Sequence, residues 1–397
     1  MTALPMTDDR ARIDAKIPLL FCLGIAAASG AAHLGINYTP FLVGGLIDRY
    51  GFGPALMGVF ATAETLSFAI AMFVFAPRAH SFRPRRMALL ASAVIAAVQV
   101  VSSLTGFFPL LLVGRVATGF SYGMLNTAVN VAAGRTAQPA RAISVGISLQ
   151  VVLFAAMNWT IPTIGKFGGV GAMFIALGMI SAALAVGMIP LPDDRADAAA
   201  TASGEKHDIP PMAPGGWPVL AAMALFAFGT MAIWPFMERA AHAINLPATT
   251  YGLYQGMAMV LSCLGNFTLT MVLARGPRRW LLEIALMTCG TMCALLTTVN
   301  SQLVFAIALQ LYNVSWYITY PLLLGLAYAH DPHGRLAVRT TGTWLLAQSA
   351  GSLAAGFVAQ ATAGYGLVGC LGMITCACAV GIVIWFQARL RRAALTV

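Results

Sequence analysis

Apolar residues fill long, nearly continuous runs of this chain, and short polar joints separate one run from the next. About 20 apolar residues are needed to cross the hydrocarbon core of a bilayer as a helix. The pattern predicts an all-α membrane protein with twelve spans, numbered one to twelve in chain order, at residues 17–41, 55–76, 87–105, 109–131, 142–163, 170–190, 216–236, 249–274, 281–298, 302–326, 341–362 and 367–388.

Composition agrees with this pattern, since 59% of the 397 residues are hydrophobic and only 9% are charged. Such values are typical of polytopic membrane proteins and argue against a soluble enzyme. The seven cysteines all lie within predicted spans, where we expect no disulfides. Cys289 and Cys293 share a helical face, but no His, Asp or Glu accompanies them, so the sequence implies no metal and no cofactor.

The basic residues determine the predicted orientation. With the N-terminus inside, nearly all of the 23 Lys and Arg residues fall in inner joints or tails; Arg49, Lys166 and Arg239 fall outside, and Arg115 lies within a span. This bias predicts a multi-pass inner-membrane protein with both termini cytoplasmic. The net charge of +10 then reflects attraction to anionic membrane lipid rather than nucleic-acid binding. We expect Asp48, Glu238 and Arg239 to be outer-loop charges.

The first apolar run also has the features of a cleaved secretory signal. Removing it would leave eleven spans, and an odd number would move either the C-terminal tail or most basic joints to the outside. We therefore interpret this run as the first helix of the folded protein.

Predicted span four places a positive charge inside an otherwise apolar helix. Arg115, Tyr122, Asn126 and Asn130 lie on roughly one face, and Gly119 and Gly123 keep that helix narrow. An intramembrane Arg is costly unless it faces protein or water and has a partner. Two interpretations remain open: a functional group in a cavity, and a structural Arg bonded to a neighbouring helix.

Weak internal repeats indicate a duplicated architecture. The Pro-Phe pair at 40–41 recurs at 235–236, Gly58 corresponds to Gly252, and Gln150 corresponds to Gln348. The repeats predict two six-helix halves at 17–190 and 216–388, joined by a polar cytoplasmic linker at 191–215 and flanked by cytoplasmic tails at 1–16 and 389–397.

These features together resemble the major facilitator superfamily of secondary transporters. The resemblance covers essentially the whole chain and includes the Arg-x-x-x-Gly-x-x-x-Gly motif formed by Arg115, Gly119 and Gly123. The joint after span two keeps the basic pair Arg85 and Arg86 but has Ser81 near the acid of the family signature.

The resemblance implies that spans one, four, seven and ten surround a central cavity. Each of these spans carries a polar or aromatic stripe, and an organic solute would suit such a lining. The implied substrate-binding residues are His33, Asn37, Arg115, Tyr122, Asn126, Thr230, Trp234, Gln310, Asn313, Tyr317 and Tyr320. For each stripe, ordinary hydrogen bonding between helices is the alternative.

Ionisable groups within the spans suggest how transport is coupled. Glu64 and His33 are the candidate proton-coupling residues, and Glu64 is predicted at a depth similar to that of Arg115. A permanently paired acid and a neutral core histidine are the structural alternatives. Gln150 and Gln348 are candidate gating residues, or buried amides that join helices.

The sequence therefore predicts a monomeric transporter, not an enzyme, that moves a small organic solute, including an organic anion as one option, in a proton-coupled manner. An efflux antiporter of the same fold is the first alternative. An uncoupled facilitator and a membrane-embedded transferase are the others, although the acids Asp193, Asp194 and Asp197 lie in the linker without helical framing.

Overall fold

The computed structural model describes residues 19–75, 82–135, 139–193, 215–273, 280–331 and 335–395. The predicted tail at 1–16 and nearly all of the predicted linker at 191–215 lie outside these ranges. The helices are α1 (Leu19–Ala32), α2 (Leu34–Tyr50), α3 (Pro54–Phe75), α4 (Pro84–Ser103), α5 (Phe108–Gly134), α6 (Pro139–Gly187), α7 (Trp217–Ile233), α8 (Met237–Ala243), α9 (Ala248–Leu273), α10 (Trp280–Thr298), α11 (Gln302–His330), α12 (Arg335–Thr362) and α13 (Gly366–Leu395).

Nine helical stretches of the described ranges are long and apolar enough to cross a membrane. The described part of the chain contains no strand, in agreement with the predicted all-α class. Large apolar side chains such as Phe167, Leu104 and Leu303 lie exposed on its surface, as a surrounding hydrocarbon phase requires.

Several helical stretches differ from the predicted spans, and α13 continues to Leu395, into the predicted tail at 389–397. The first continues to Tyr50, with a break at His33 between α1 and α2, and the seventh continues through a 3-10 turn at Trp234–Phe236 into α8. Predicted spans five and six both lie in α6, which Gly169 divides into two helices. The φ angle of Gly169 is 67°, a backbone conformation that glycine adopts without strain. Asp48, Glu238 and Arg239 are consequently helical residues, so their prediction as loop charges was wrong.

The helices form two sets with equivalent internal packing. In the first set, α3 packs on α5, α4 packs on α5 and α6, and α1 packs on α6; the corresponding pairs of the second set are α9 with α11, α10 with α11 and α13, and α7 with α12. The two sets meet through α3 against α12 and α6 against α9. This pairing has the pattern that an internal duplication produces.

Glycines allow both of these contacts between the sets. A Cβ atom on Gly58 would lie 2.9 Å from the Cα of Gly356, and one on Gly252 would overlap the carbonyl oxygen of Asn158. Gly58 and Gly252 are the repeat pair found in the sequence, and each lets two helices approach closely. The two contacts are therefore equivalent positions of the duplicated structure.

The repeated Pro-Phe pairs have a matching role. Proline lacks an N–H, so Pro40 leaves the carbonyl of Ile36 without its helical partner, and Pro235 does the same to Met231. The indole Nε1 of Trp234 donates to the Ile36 oxygen at 2.6 Å, and Ser352 Oγ donates to the Met231 oxygen at 3.4 Å. Side chains of neighbouring helices thus satisfy carbonyls that lipid could not.

Candidate functional site

A cavity of about 470 Å³ lies between the two helix sets. This volume falls within the usual range for sites that bind small organic molecules. Helices α1, α2, α3, α5 and α6 contribute to its lining from the first set, and α7, α9, α11 and α12 contribute from the second. The polar and aromatic lining residues are Ser29, His33, Asn37, Phe68, Asn126, Asn130, Gln150, Trp234, Asn266, Tyr312, Asn313, Trp316, Tyr317, Tyr320, Thr341 and Trp344.

The cavity has two chemically different walls. The wall from the first helix set carries an imidazole and several amides, including those of Asn37, Asn126 and Gln150. The wall from the second set is mainly aromatic, and the Trp316 ring stacks nearly parallel to that of Tyr320 with their centroids 5.8 Å apart. Among the described lining residues there is no Asp, Glu, Lys or Arg.

The cavity includes seven of the substrate-binding residues inferred from the sequence and excludes four. His33, Asn37, Asn126, Trp234, Asn313, Tyr317 and Tyr320 belong to the lining, as does the candidate gating residue Gln150. Arg115, Tyr122, Thr230 and Gln310 lie elsewhere, as do the candidate proton site Glu64 and the second gating candidate Gln348.

Arg115 lies in a closed polar cluster between α3, α4 and α5, rather than in the cavity. Its Nη1 donates to Glu64 Oε2 at 2.6 Å, and its Nη2 donates to Gln99 Oε1 at 3.2 Å. Thr118 Oγ1 donates to the same Glu64 oxygen at 3.1 Å. The side chains of Arg115 and Glu64 are each only 1% exposed. Arg115 and Glu64 thus lie close together, as the sequence predicted, but neither of them lines the cavity.

Aromatic rings complete the enclosure of this charge. The guanidinium carbon lies 4.6 Å from the ring centre of Phe60 and 5.3 Å from that of Phe174, distances at which a cation is attracted to a ring face. Tyr122 is also fully buried, and its ring lies with the Glu64 carboxylate beside Gly35. The four residues of the predicted span-four stripe therefore lie in two places. Arg115 and Tyr122 lie in the helix interface, and Asn126 and Asn130 line the cavity.

Of the other three residues outside the lining, Thr230 and Gln310 take part in hydrogen bonds between helices, and Gln348, within the described ranges, does not. Thr230 Oγ1 donates to the Phe226 carbonyl of its own helix, while the Thr230 carbonyl accepts a hydrogen bond from the Tyr312 hydroxyl at 2.8 Å. Gln310 Nε2 donates to the Tyr254 carbonyl at 2.9 Å. Gln348 is buried in α12, and neither of its amide atoms has a hydrogen-bond partner among the described residues.

His33 lies at the break between α1 and α2, where its imidazole reaches the cavity. Its Nδ1 lies 2.9 Å from the Ser29 carbonyl oxygen, and its ring packs edge-on against Phe68. Ser29 Oγ in turn donates to Gln150 Oε1 at 2.5 Å. A hydrogen-bonded path therefore joins the first and fifth predicted spans at the cavity wall.

A charged cluster crosses between the two helix sets beyond one end of the cavity. Arg239 of α8 donates to both carboxylate oxygens of Asp48 in α2, at 2.6 and 3.0 Å, and it also pairs with the adjacent Glu238. Phe41 packs against Tyr251 nearby, with ring centres 5.3 Å apart. Together with the Trp234 bond to Ile36, these contacts close the end of the molecule that was predicted to face outside.

The cavity itself lies toward the opposite end. Its lining on α5 begins at Asn126, in the last third of that helix, and its lining on α12 lies between Thr341 and Leu345, near the start. These helix ends adjoin the predicted inner joints. The charge cluster was missed from sequence because its partners are 191 residues apart. Tyr312 and Trp316 of the lining were missed as well, although their i, i+4, i+8 spacing with the predicted residue Tyr320 is a signal that could have found them.

Comparison with known proteins agrees with this architecture. The chain matches a solved structure of the nucleoside transporter NupG with a TM-score of 0.70 and 11% identity, over 94% of this chain and 99% of that one. It matches the xylose transporter XylE from E. coli, in an inward open conformation, with a TM-score of 0.65 and 14% identity, over 91% of this chain and 95% of that one. It also matches the peptide transporter POT in complex with sulfate, with a TM-score of 0.71 and 11% identity, over 92% of this chain and 94% of that one. None of the curated protein sequences matches the chain.

At such low identities these structures show a shared fold alone. The family model described as Major Facilitator Superfamily, however, matches residues 19–356, which is most of the chain. The resemblance inferred from the sequence is thereby confirmed. This multi-pass membrane protein belongs to the Major Facilitator Superfamily.

Proposed function

We propose that this protein is a secondary active transporter that carries a small organic solute across the inner membrane by alternating access. The observation that carries the proposal is the cavity between the two helix sets, near the predicted inner end, with interlocked side chains closing the other end. Rocking one half against the other around a site between the halves exposes that site to each side of the membrane in turn.

The described conformation corresponds in this scheme to an inward-facing state. We place both termini in the cytoplasm and divide the chain into twelve spans, six in each half, on the basis of the basic-residue distribution and the equivalent helix pairing. Contacts across the halves run mainly along α3 with α12 and α6 with α9, and these are the contacts that the proposed rocking exchanges. We propose that a monomer, surrounded by lipid, carries out the whole cycle.

For proton coupling, the position of the side chains favours His33 over Glu64. Glu64 is enclosed with Arg115 and does not reach the cavity, whereas the His33 imidazole forms part of its wall. A histidine can gain or lose a proton in the physiological range, so it is suited to link proton and solute binding. Of the two proton-coupling candidates from the sequence, the proposal therefore keeps His33 and gives Glu64 a structural role.

Transport by purified protein in proteoliposomes tests the proposal. We expect solute counterflow with a panel of organic acids, neutral aromatics and cationic drugs, and accumulation of the accepted solute when a pH gradient is imposed. His33→Gln should retain counterflow while losing gradient-driven accumulation, because glutamine forms hydrogen bonds but does not titrate.

Thr163→Val is the matched control, since Thr163 is exposed on α6 and its hydroxyl donates to the Trp159 carbonyl of the same helix. This variant should transport like the wild type. Counterflow with none of the solutes would contradict the transport proposal, and full gradient-driven accumulation by His33→Gln would contradict the assignment of the proton to His33.

A further inference from the structure

The two walls of the cavity present complementary parts of a binding site. We propose that the solute is an uncharged molecule with a flat ring and a hydrogen-bond donor, the donor bonding to His33 and Asn37 and the ring packing on the aromatic wall. This inference rests on the proposed transport function, because it takes the cavity as the solute site. Three features of the lining support it.

The first feature is a pair of hydrogen-bond acceptors on neighbouring turns. A carbonyl oxygen can only accept, so the 2.9 Å contact with Ser29 places a proton on His33 Nδ1 and leaves Nε2 of the neutral ring with a lone pair. Asn37 Nδ2 likewise donates to the His33 carbonyl at 2.9 Å, which leaves Oδ1 as the acceptor of that amide.

Neither His33 Nε2 nor Asn37 Oδ1 has a partner among the described residues, and neither is a buried atom. Residues four apart lie on one helical face, and both side chains belong to the cavity lining. A solute group that donates hydrogen bonds, such as an amide or amine N–H, satisfies both atoms. A group that only accepts would leave both without a partner.

The second feature is the aromatic wall. The rings of Trp316 and Tyr320 are parallel within 3°, and Trp344 meets them edge-on at 6.2 and 5.4 Å between centroids. Aromatic rings pack favourably against other flat rings, in stacked or edge-to-face arrangements. These residues belong to α11 and α12, whereas the acceptors lie at the α1–α2 break, so a solute with both parts bridges the two helix sets.

The third feature concerns charge. The described lining carries no carboxylate for a cation and no guanidinium or ammonium group for an anion. Arg115 is enclosed with Glu64, and Arg239 binds Asp48 and Glu238 at the closed end. Burying an ion without an opposite charge is costly, so the lining favours an uncharged solute.

Four probes that share one ring system separate these features. They are 2-naphthamide, with neutral N–H donors; N,N-dimethyl-2-naphthamide, neutral without a donor; 2-naphthoate, an anion; and 2-naphthylmethylammonium, a cation with donors. We expect equilibrium dialysis against the protein in lipid nanodiscs to show 2-naphthamide binding at least fivefold more tightly than each of the others, measured at pH 8 so that His33 is neutral.

Variants locate the donor site. Asn37→Leu should weaken 2-naphthamide at least threefold, toward the affinity of the dimethyl probe, whose own binding should hardly change, since the His33 acceptor remains. Asn37→Asp keeps an acceptor and adds a negative charge, so it should shift the preference toward 2-naphthylmethylammonium by at least tenfold. Trp344→Leu should weaken all four probes by similar factors, and Thr163→Val should change none of them.

Several results would overturn the inference. Tighter binding of 2-naphthoate or 2-naphthylmethylammonium by the wild type would show that the solute is charged. Equal binding of the two amides would show that the cavity does not recognise a hydrogen-bond donor. If none of the probes bound, the cavity would not recognise the ring. These binding results are separate from counterflow in proteoliposomes, so a failure of the transport proposal is recognisable by itself.

Discussion

At the scale of single residues, Arg115 shows how an intramembrane charge is accommodated by its immediate neighbours. Its guanidinium has a carboxylate, an amide oxygen and two ring faces as partners, and all of these come from other helices or other turns. Removing one member of a buried ion pair leaves the other charge without compensation, which costs more than the pair itself contributes. The packing of α3, α4 and α5 is therefore sensitive to the loss of either charge alone.

We predict that Arg115→Ala lowers the free energy of unfolding by about 3–5 kcal/mol, because it leaves the Glu64 carboxylate buried and unpaired. Thermal unfolding in detergent, together with the amount of protein in the membrane, measures the effect. The double variant Glu64→Leu with Arg115→Met removes both charges and should recover most of the stability. If Arg115→Ala were as stable as the wild type but did not bind solute, a direct binding role would be indicated instead.

At the scale of helices, the approach of α5 to α3 depends on two glycines of the Arg-x-x-x-Gly-x-x-x-Gly motif. A Cβ atom on Gly119 would overlap the Glu64 carbonyl oxygen, and one on Gly123 would lie 2.7 Å from the Phe68 carbonyl oxygen. The same close approach brings Arg115 and Thr118 within hydrogen-bonding distance of Glu64. The motif thus has a structural explanation in this protein.

Gly119→Ala should consequently force α3 and α5 apart. We expect a loss of about 1–3 kcal/mol of stability, as for other overpacked interiors. Gly134→Ala is the matched control, because a Cβ atom on this glycine of the same helix would have no neighbour within 4 Å among the described residues. Melting temperatures of the two variants give the comparison, and equal values would contradict this account of the motif.

At the scale of the whole molecule, an ion pair at the predicted outer end supplements the close contacts at Gly58 and Gly252 between the two halves. The bidentate contact of Arg239 with Asp48 crosses between them, yet the Asp48 side chain is 60% exposed. Such a pair contributes at most about 1 kcal/mol. A contact of this strength can stabilise one state of a transport cycle without preventing its conversion to another.

Asp48→Asn should therefore favour opening of the outer end, by about fivefold if the pair contributes about 1 kcal/mol. Hydrogen exchange read by mass spectrometry should become faster at the end of α2 and in α8, and unchanged at the start of α12. Arg49→Gln is the control, because it also removes an outer charge, but the Arg49 guanidinium lies over Tyr50 of its own helix. Equal exchange in the wild type and Asp48→Asn would show that this ion pair does not hold the closed state.

The sequence by itself determined the features that depend on local composition and repetition. Membrane helices appear as apolar runs because a bilayer requires about 20 such residues in succession, and the repeat of Gly58 with Gly252 marks equivalent helix contacts. The sequence also placed Arg115 and Glu64 at a similar depth in the membrane, and these side chains form an ion pair. It further identified the family to which the chain belongs.

Only the tertiary structure decided which polar groups face the cavity and which face another helix. Arg115 and Asn126 share a predicted stripe, yet one contacts Glu64, 51 residues away in sequence, while the other lines the cavity. Asp48 and Arg239 similarly combine only when α2 meets α8. The partners of a side chain on another helix depend on how each helix is rotated about its axis and how the helices pack. The spacing of polar residues along one helix does not determine these partners, because it describes that helix alone.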